Sequence, residues 1–176
     1  GRRLVRERLH ENAMPIALFI KSATSSAERV PGTAVFLASR ADDIPPSLLH
    51  NLKHNRVLHQ RVVILTVEIQ QVPHVMPDNR YEMANLGSGF YRIILRYGFM
   101  DEPDIPQALM GIEPDGVPFR VMDTSYFLAR QTLVASRRPG MALWREKLFA
   151  WMVRNAESAM QFFKLPTNRV VELGSQ

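Results

Sequence analysis

Apolar residues are grouped along the chain in short strand-like runs separated by segments with helix signals. Residues 33–39 are almost continuously apolar, and β-branched residues dominate residues 61–69. Between these runs, the sequence Asp42-Asp43-Ile44-Pro45-Pro46 provides the cap and proline signals that begin a helix, which we predict over residues 47–58. A strand, a helix and a strand in this order predict a βαβ unit, in which a right-handed crossover joins two parallel strands.

Two further runs, residues 81–86 and 90–97, flank Gly87-Ser88-Gly89, which has the length and composition of a hairpin turn. In the second run, Arg92 and Arg96 fall on the same face because side chains alternate along a strand. This pattern predicts a strand that is exposed on one side.

The remainder of the chain continues the alternation of helix and strand signals. A short helix is predicted after Asp104-Ile105-Pro106, followed by a strand over residues 125–134. A long helix is predicted from about Ala142 to Lys164, where Pro166 terminates it, and a last strand over residues 169–173.

The long helix has more apolar surface than packing on one sheet requires. At 100° per residue its apolar side chains, which include Trp144 and Trp151, cover an arc of about 200°, whereas a surface helix typically buries little more than 100°. Either two elements of the same chain cover this helix, or part of it meets a second subunit or a neighbouring domain. A weak homodimer is therefore one expectation.

The amino-terminal segment is basic and amphipathic. Leu4, Val5 and Leu9 recur at helical spacing among arginines, which predicts a short helix ending before Pro15. A solvated charged end and a surface-binding helix fit this pattern equally well. We expect a short apolar run over residues 16–20 and a loop over residues 22–28.

Composition and length then narrow the fold class. A chain of 176 residues corresponds to about one domain, and 46% hydrophobic with 22% charged residues is close to the globular average. We predict an α/β fold, a single domain with a mixed, partly parallel sheet, a β-hairpin and a long C-terminal helix packed on it. The expected division is a basic amino-terminal helix over residues 1–14 and an α/β domain over residues 15–176.

Charge and cysteine content exclude several functional classes. The chain has 22 Lys and Arg against 17 Asp and Glu, a net charge of +5, but the first ten residues contain four of the arginines. Because the basicity is concentrated at one end, we expect no nucleic-acid binding. The absence of cysteine excludes disulfides and thiolate metal sites. The first residue is Gly rather than Met, so we expect a segment of a longer protein.

The strongest candidate for a metal or ligand site is a histidine cluster on the first predicted helix. His50 and His54 stand one turn apart on one helix face, and His59 follows. Position 51 is Asn, where the metalloprotease motif H-E-x-x-H requires Glu, so that enzyme class is excluded. The alternative is a helix that buries Leu48, Leu49 and Leu52 and presents its histidines to solvent. We favour this alternative and predict no metal site.

No motif of an enzyme is present. The sequence has neither a G-x-G-x-x-G nor a P-loop phosphate cradle, and no G-x-S-x-G nucleophile elbow. Asp101-Glu102-Pro103-Asp104 fits a helix start better than an acid/base site. Tyr126 and Phe127 beside Arg130 could stack on nucleic acid, but a sheet face explains them more simply. We predict no catalytic residue and no cofactor.

Several blocks of the sequence together resemble one protein family, the KUP (HAK/KT) potassium uptake transporters, and in particular the cytoplasmic C-terminal domain of their bacterial, proton-coupled members. The blocks are R-V-P-G-T-A-V-F-L at residues 29–37, P-P-S-L-L-H-N-L-K-H-N at 45–55, G-F-Y-R at 89–92, R-Y-G-F-M-D-E-P at 96–103, Y-F-L at 126–128, W-R-E-K-L-F at 144–149 and P-T-N-R-V-V-E-L-G at 166–174. The resemblance covers nearly the whole chain in order. Only the stretch at residues 111–120 does not align clearly.

This resemblance implies a non-catalytic cytosolic domain that regulates, stabilises or dimerises a proton-coupled potassium transporter. It implies a location on the cytoplasmic face of the bacterial inner membrane and a partnership with the membrane-embedded part of the same transporter, where the potassium and proton sites would lie. Arg2, Arg3, Arg6 and Arg8 would then contact anionic lipid headgroups, at about 1 kcal/mol per residue.

A second hypothesis is a domain that senses nucleotides or cyclic dinucleotides and thereby controls the transporter. Ligands of α/β proteins commonly bind at the carboxyl ends of the strands, and a βαβ unit provides such ends. The residues expected to face an anionic ligand are His50, Lys53, His54 and Arg56. The missing phosphate loop makes this hypothesis the weaker one.

Overall fold

One six-stranded sheet organises the part of the chain that the computed structural model describes, residues 14–129 and 163–173. The helices and strands in chain order are α1 (Met14–Ser26), β1 (Glu28–Leu37), α2 (Pro46–Asn55), β2 (Val57–Gln70), β3 (Tyr81–Gly87), β4 (Phe90–Gly98), α3 (Ile105–Met110), β5 (Thr124–Ala129) and β6 (Val170–Leu173). Short 3₁₀ turns occupy Pro77–Asn79, Pro114–Gly116, Val121–Asp123 and Thr167–Arg169.

The described strands follow the order β3-β4-β2-β1-β5-β6, and among them only the β3–β4 hairpin pair is antiparallel. The predicted mixed sheet, the parallel βαβ unit and the hairpin are therefore confirmed. Because the other strands point the same way, the sheet has an amino edge, where β1, β2, β4, β5 and β6 begin, and a carboxyl edge, where they end. These two edges place the candidate sites described below.

Apolar side chains alternate between the two faces of the sheet and form a core on each. On the α1/α2 face, Phe36 and Ile64 are buried with Ile16 and Ile20 of α1 and Leu48 of α2. The other face, the α3 face, buries a larger cluster that takes in α3 and the turn before β6. Its members include Val35, Val63, Ile93, Leu95, Ile105, Leu109 and Phe163.

The structure corrects the predicted loop over residues 22–28, because α1 continues to Ser26 and β1 begins at Glu28. Ala23 continues the buried stripe of α1 beyond Ile20, and tertiary packing of this stripe outweighs the low helix propensity of the polar residues. Their hydroxyls bond back to the helix, as in the 2.9 Å bond that Thr24 Oγ1 donates to the carbonyl oxygen of Ile20.

The helix predicted over residues 47–58 is shorter in the structure. It ends at Asn55 because Arg56 adopts a left-handed conformation with φ of 54°. The helix also buries a different set of residues from the one predicted: Leu48 is fully buried, whereas Leu49 is 47% exposed and Asn51 takes its place in the interface.

The prediction that the strand of Arg92 and Arg96 is exposed on one side is wrong. That strand is β4, which lies between β3 and β2 and is covered on both faces. Arg92 is only 3% exposed. A strand in the interior of a parallel sheet is buried on both sides, and here the buried side chains include a charged one.

The later elements are confirmed where the structure describes them. Asp104 caps α3 by accepting a 3.1 Å bond from the main-chain N–H of Gln107, and β6 covers most of the predicted last strand. The strand predicted over residues 125–134 is β5, whose continuation past Ala129 lies outside the described residues. The long helix predicted from Ala142 also lies outside them, apart from Phe163 and Lys164, which form a turn.

Candidate functional site

Three of the four residues predicted to bind an anion lie on the solvent side of α2. His50, Lys53 and His54 are exposed, and the two histidine rings are 4.2 Å apart between centroids. The fourth, Arg56, is exposed at the end of the helix, where its main-chain N–H bonds to the carbonyl of Leu52. The predicted outward polar face of this helix is confirmed.

Lys53 and His54 lie in the last turn of α2, and Arg56 ends the helix at the amino edge of the sheet, whereas the ligand hypothesis expects the four residues near the carboxyl ends of the strands. A crossover helix runs antiparallel to the strands it joins, so its last turn lies where the next strand begins. The main-chain carbonyl of Arg56 accepts a 3.1 Å bond from the N–H of Glu28, the first residue of β1. Ligand binding by these residues stays a prediction.

The two asparagines of the H-N-L-K-H-N block have a structural role that the sequence analysis missed. Asn51 is 5% exposed and its Nδ2 donates a 2.9 Å bond to the carbonyl of Val57, the first residue of β2. Asn55 Nδ2 donates a 2.9 Å bond to Asn51 Oδ1. Position 51 lies on the same helix face as Leu48, three residues earlier, and this spacing is the signal that could have identified it.

His59 does not join the other histidines. It lies on β2, half-buried, with its ring 6.1 Å from that of Phe127. Its Nδ1 is buried with no hydrogen-bond partner, and burial lowers the pKa of the imidazole. Within residues 14–129 and 163–173, no group of three or more histidines and carboxylates is arranged to hold a metal ion.

A cavity of about 400 Å³ opens at the amino edge on the α3 face, beneath the segment that leads into β5. Arg61 of β2 holds this segment over the sheet. Its Nε donates to Thr33 Oγ1 at 3.0 Å, its Nη1 and Nη2 donate to the carbonyls of Val117 and Pro118 at 2.6 and 2.9 Å, and its guanidinium lies 4.3 Å above the ring of Phe119. Burial lowers the pKa of Arg61.

A tyrosine and an aspartate close another part of this cavity. The hydroxyl of Tyr91 donates a hydrogen bond to Asp115 Oδ2, and Asn85 Nδ2 donates to the same oxygen at 3.1 Å. Burial, together with the hydrogen bond and negative charge of Asp115, raises the pKa of Tyr91 to about 12, although the charge of Arg61 opposes the change. The cavity is therefore lined by a positive side chain, Arg61, and a negative one, Asp115, which suits binding of a polar molecule.

A second polar centre lies at the carboxyl edge, around Asp101 of the R-Y-G-F-M-D-E-P block. Its Oδ2 accepts bonds from the main-chain N–H groups of Val75 at 3.0 Å and Gly98 at 2.6 Å, and its Oδ1 is 2.6 Å from Nδ1 of His74. Arg80 Nη1 is 3.6 Å from Oδ2. Burial alone would raise the pKa of Asp101, but these hydrogen bonds and the charge of Arg80 lower it to about 2.

The guanidinium of Arg80 also lies 4.2 Å above the ring of Tyr97 and borders a second cavity of about 380 Å³. Its Nη1 donates a 2.6 Å bond to the carbonyl of Arg96, which fixes the side chain against β4. Asp101 and Arg80 together join the loop after β2 to the loop after β4. The R-Y-G-F-M-D-E-P block therefore has a structural role: it holds these two loops together.

Buried charges continue along the α1/α2 face of β4. Arg92 Nη2 lies 3.4 Å from the carbonyl of Asp43, while its Nη1 is buried without a partner. Burial lowers the pKa of Arg92 to about 10, and the charges of Asp42 and Asp43 partly oppose this. Farther along the strand, Arg96 lies between Glu82, at 3.4 Å, and Glu68, at 3.5 Å.

The remaining predicted sites lie outside the described residues, since Arg2, Arg3, Arg6 and Arg8 all precede Met14. Tyr126 and Phe127, considered above as a stacking surface, are buried in the two cores, which supports the simpler interpretation as sheet positions. In the part of the chain that the structure describes, none of the helices is long and apolar enough to cross a bilayer.

Comparison with known proteins identifies the family. The family model described as the K+ potassium transporter C-terminal domain matches residues 31–176. The chain belongs to this family. The match includes residues 111–120, the stretch outside the aligned motif blocks, which contributes part of the lining of the amino-edge cavity.

Relatives in the potassium transporter family match the chain from end to end. It is 62% identical over 176 residues to the probable potassium transport system protein Kup 2 of Rhizorhabdus wittichii, and 62% identical to Kup 1 of Novosphingobium aromaticivorans. It is 61% identical to the Kup protein of Zymomonas mobilis. In each case all of this chain is covered but only 27% of the relative. No solved structure matches it.

Proposed function

We propose that this chain is the non-catalytic cytosolic domain of a potassium uptake transporter, and that it regulates or stabilises the membrane-embedded part. The observation that carries the proposal is the match of this whole chain, at 62% identity, to 27% of the length of a Kup protein. The relatives are described as potassium transport proteins, not as enzymes. The partner would be the remaining transporter on the cytoplasmic side of a bacterial inner membrane.

The architecture supports a regulatory or stabilising role. The charged side chains of the amino-edge cavity and of the Asp101 centre are bonded mainly to main-chain groups, as Arg61 and Asp101 show. Such groups hold loops in place instead of being poised for proton transfer. The domain therefore provides rigid surfaces on both edges of one sheet, which suits contacts with another part of the protein.

A hybrid transporter tests this proposal. The matching segment of the Rhizorhabdus wittichii Kup 2 protein is removed or replaced by this chain, and rubidium uptake is measured in cells that lack their own potassium uptake systems. We expect removal to lower uptake per transporter molecule at least threefold and the replacement to restore more than half of it. The amount of transporter in the membrane is measured in parallel.

A matched pair of variants makes the outcome specific. Leu48→Asp places a charge in the core of the α1/α2 face and should abolish the restoration, whereas Leu49→Asp changes an exposed position and should not. Equal restoration by both variants, or unchanged uptake after removal of the segment, would contradict the proposal.

A second candidate function is ligand sensing at the amino edge. The observation that favours it is the cavity of about 400 Å³, lined by Arg61, Arg120 and Tyr91, at the same edge as Arg56. Thermal unfolding in the presence of nucleotides and cyclic dinucleotides tests it. A midpoint raised by several degrees in the unchanged chain but not in Arg120→Ala would support the cavity, and Lys53→Ala tests the α2 residues separately.

A further inference from the structure

The direction of α1 determines from which side the preceding chain reaches the sheet. A single residue, Ala27, joins α1 to β1 at the amino edge. Ile16 and Ile20, in the first half of α1, are buried in the core of the α1/α2 face. A helix that lies over a sheet and ends at the amino edge must run antiparallel to the next strand. Met14 therefore lies toward the carboxyl edge.

This orientation has a consequence if the domain belongs to a transporter, as proposed above. The family is defined as a C-terminal domain, so the membrane-embedded part would connect through the residues before α1. That connection would join α1 at Met14, the end of the helix that lies toward the carboxyl edge. The carboxyl edge would then face the rest of the transporter, and the amino edge would face away from it.

The described loops at the carboxyl edge, those after β1, β2 and β4, are acidic. Three described loops follow strands there, residues 38–45, 71–80 and 99–104. They contain six carboxylates and two arginines, which leaves a net charge of −4 with histidine neutral: Asp42, Asp43, Asp78, Asp101, Glu102 and Asp104 against Arg40 and Arg80. Lys164 offsets one of these charges by lying 3.5 Å from Glu102. The surplus is thus opposite in sign to the net charge of the whole chain, +5.

Apolar side chains are exposed among these charges. Val72 and Met76 follow β2, Met100 follows β4, and the two methionines are 67% and 62% exposed. Main-chain bonds of 2.8 Å from Phe99 N–H to the Val72 carbonyl and 2.9 Å from Met100 N–H to the Pro73 carbonyl hold the two loops together. The edge therefore presents a fixed surface that is acidic and partly apolar, a combination typical of protein interfaces.

We propose that this carboxyl edge is the docking surface of the domain for the basic cytosolic loops of the membrane-embedded part. Cytosolic loops of membrane proteins carry an excess of Lys and Arg, which complements a net negative surface. Anionic lipid headgroups would be repelled by the same surface, so the partner is protein and not bilayer. The inference rests on the proposed function, since it requires a membrane-embedded partner.

Two sets of three charge reversals test the surface. Asp43, Asp78 and Glu102 are exposed at the carboxyl edge, and the set changes each of them to Lys. The matched control reverses Glu28, Glu113 and Asp123, which are exposed at the amino edge. Both sets change the net charge equally, so any difference between them reports the position of the charges. Circular dichroism melting verifies that each variant folds. If a set of Lys variants does not fold, Asn or Gln is substituted at the same three positions instead.

The assay is co-sedimentation of this 176-residue chain with phosphatidylcholine vesicles that contain the Rhizorhabdus wittichii Kup 2 protein without its matching segment. We expect binding that weakens with added salt, an affinity at least tenfold lower for the carboxyl-edge set, and less than a twofold change for the amino-edge set. Vesicles without the transporter, with and without anionic lipid, should not bind through this edge.

Equal losses in the two sets, absence of binding to transporter vesicles, or a carboxyl-edge-dependent binding to empty vesicles would overturn the inference. The rubidium uptake of the hybrid transporter separates this failure from that of the proposed function. Restored uptake combined with any of these three results would overturn the docking surface alone, whereas a hybrid without restored uptake would contradict the function itself.

Discussion

Asp101 allows the sharpest test of the carboxyl-edge architecture because one carboxylate holds two loops. Replacing it by Ala leaves the main-chain N–H groups of Val75 and Gly98 without their acceptor. A buried donor without a partner costs about 1–3 kcal/mol. Since the Asp101 side chain is 14% exposed and water can reach part of the site, we expect Asp101→Ala to lower the free energy of unfolding by about 2–4 kcal/mol.

The substitution Asp101→Asn separates the charge from the geometry. The amide oxygen can still accept the two main-chain bonds, but the negative charge beside Arg80 is lost. The pKa of Asp101 falls from 3.8 to about 2 in the folded protein. After a discount for solvent screening, this difference is worth about 1–2 kcal/mol, which is the loss expected for Asp101→Asn at pH 7.

The same pKa fixes the pH range in which the charge matters. A carboxyl with a pKa that is lower in the folded than in the unfolded state stabilises the fold above the unfolded value, 3.8 for Asp101. That stabilisation is lost as the pH falls toward about 2, where the folded protein also takes up the proton. The difference in unfolding free energy between the unchanged protein and Asp101→Asn should therefore shrink as the pH falls below about 4.

Urea unfolding followed by circular dichroism at several pH values measures both effects, because other carboxylates titrate equally in the two proteins and cancel in the difference. A loss below 1 kcal/mol for Asp101→Ala would show that the two main-chain bonds do not hold the loops. A difference for Asp101→Asn that persists unchanged to pH 2.5 would refute the assigned role of the charge.

Four other predictions concern the fold, the membrane and assembly. Gly89→Ala should lower the free energy of unfolding by more than about 2 kcal/mol, since its Cβ would lie 2.3 Å from a main-chain carbonyl oxygen of β2. Gly87 has a similar φ but nothing within 4 Å, so Gly87→Ala should lower it by about 1 kcal/mol. Equal losses of the two variants in urea unfolding would contradict this reasoning. Leu48→Ala should lower the free energy of unfolding by about 2–5 kcal/mol and Leu49→Ala by less than about 0.5 kcal/mol. Similar melting temperatures of the two variants would contradict the buried position of Leu48 on α2. The chain should bind anionic vesicles at low ionic strength and release with added salt, and a chain shortened by residues 1–10 should not; equal binding by both would show that the arginines are not responsible. Sedimentation equilibrium should detect a weak, concentration-dependent homodimer, and a strict 20.1 kDa species at every concentration would count against self-association.

The sequence was sufficient for the elements that have a strong local signal. The apolar runs of β1 and β2 and the Gly87-Ser88-Gly89 turn predict two of the strand pairings, β1–β2 and β3–β4, because period and turn chemistry are local properties. The Asp104 cap likewise marks the start of α3. Family motifs then added the identity of the domain, which periodicity alone could not provide.

What the sequence did not predict depends on contacts between distant residues. The burial of Arg92 follows from the position of β4 between β2 and β3, and strand order is not visible in the pattern of a single strand. The last turn of α2, with Lys53, His54 and Arg56, lies at the amino edge and not at the predicted carboxyl edge, because a crossover helix runs antiparallel to the strands it joins. The amino-edge cavity depends on Arg61 holding the carbonyl of Val117, 56 residues away in the sequence.

The pairing of β1 has a consequence for synthesis of the protein. β1 lies between β2, which follows it closely, and β5, which begins only at Thr124. A chain emerging from the ribosome can therefore pair one side of β1 early, while the other side stays an open edge until β5 is made. Open edges of apolar strands invite pairing with other chains. We expect nascent chains that stop between β4 and β5 to aggregate, and a ribosome that pauses within this stretch would prolong that exposure.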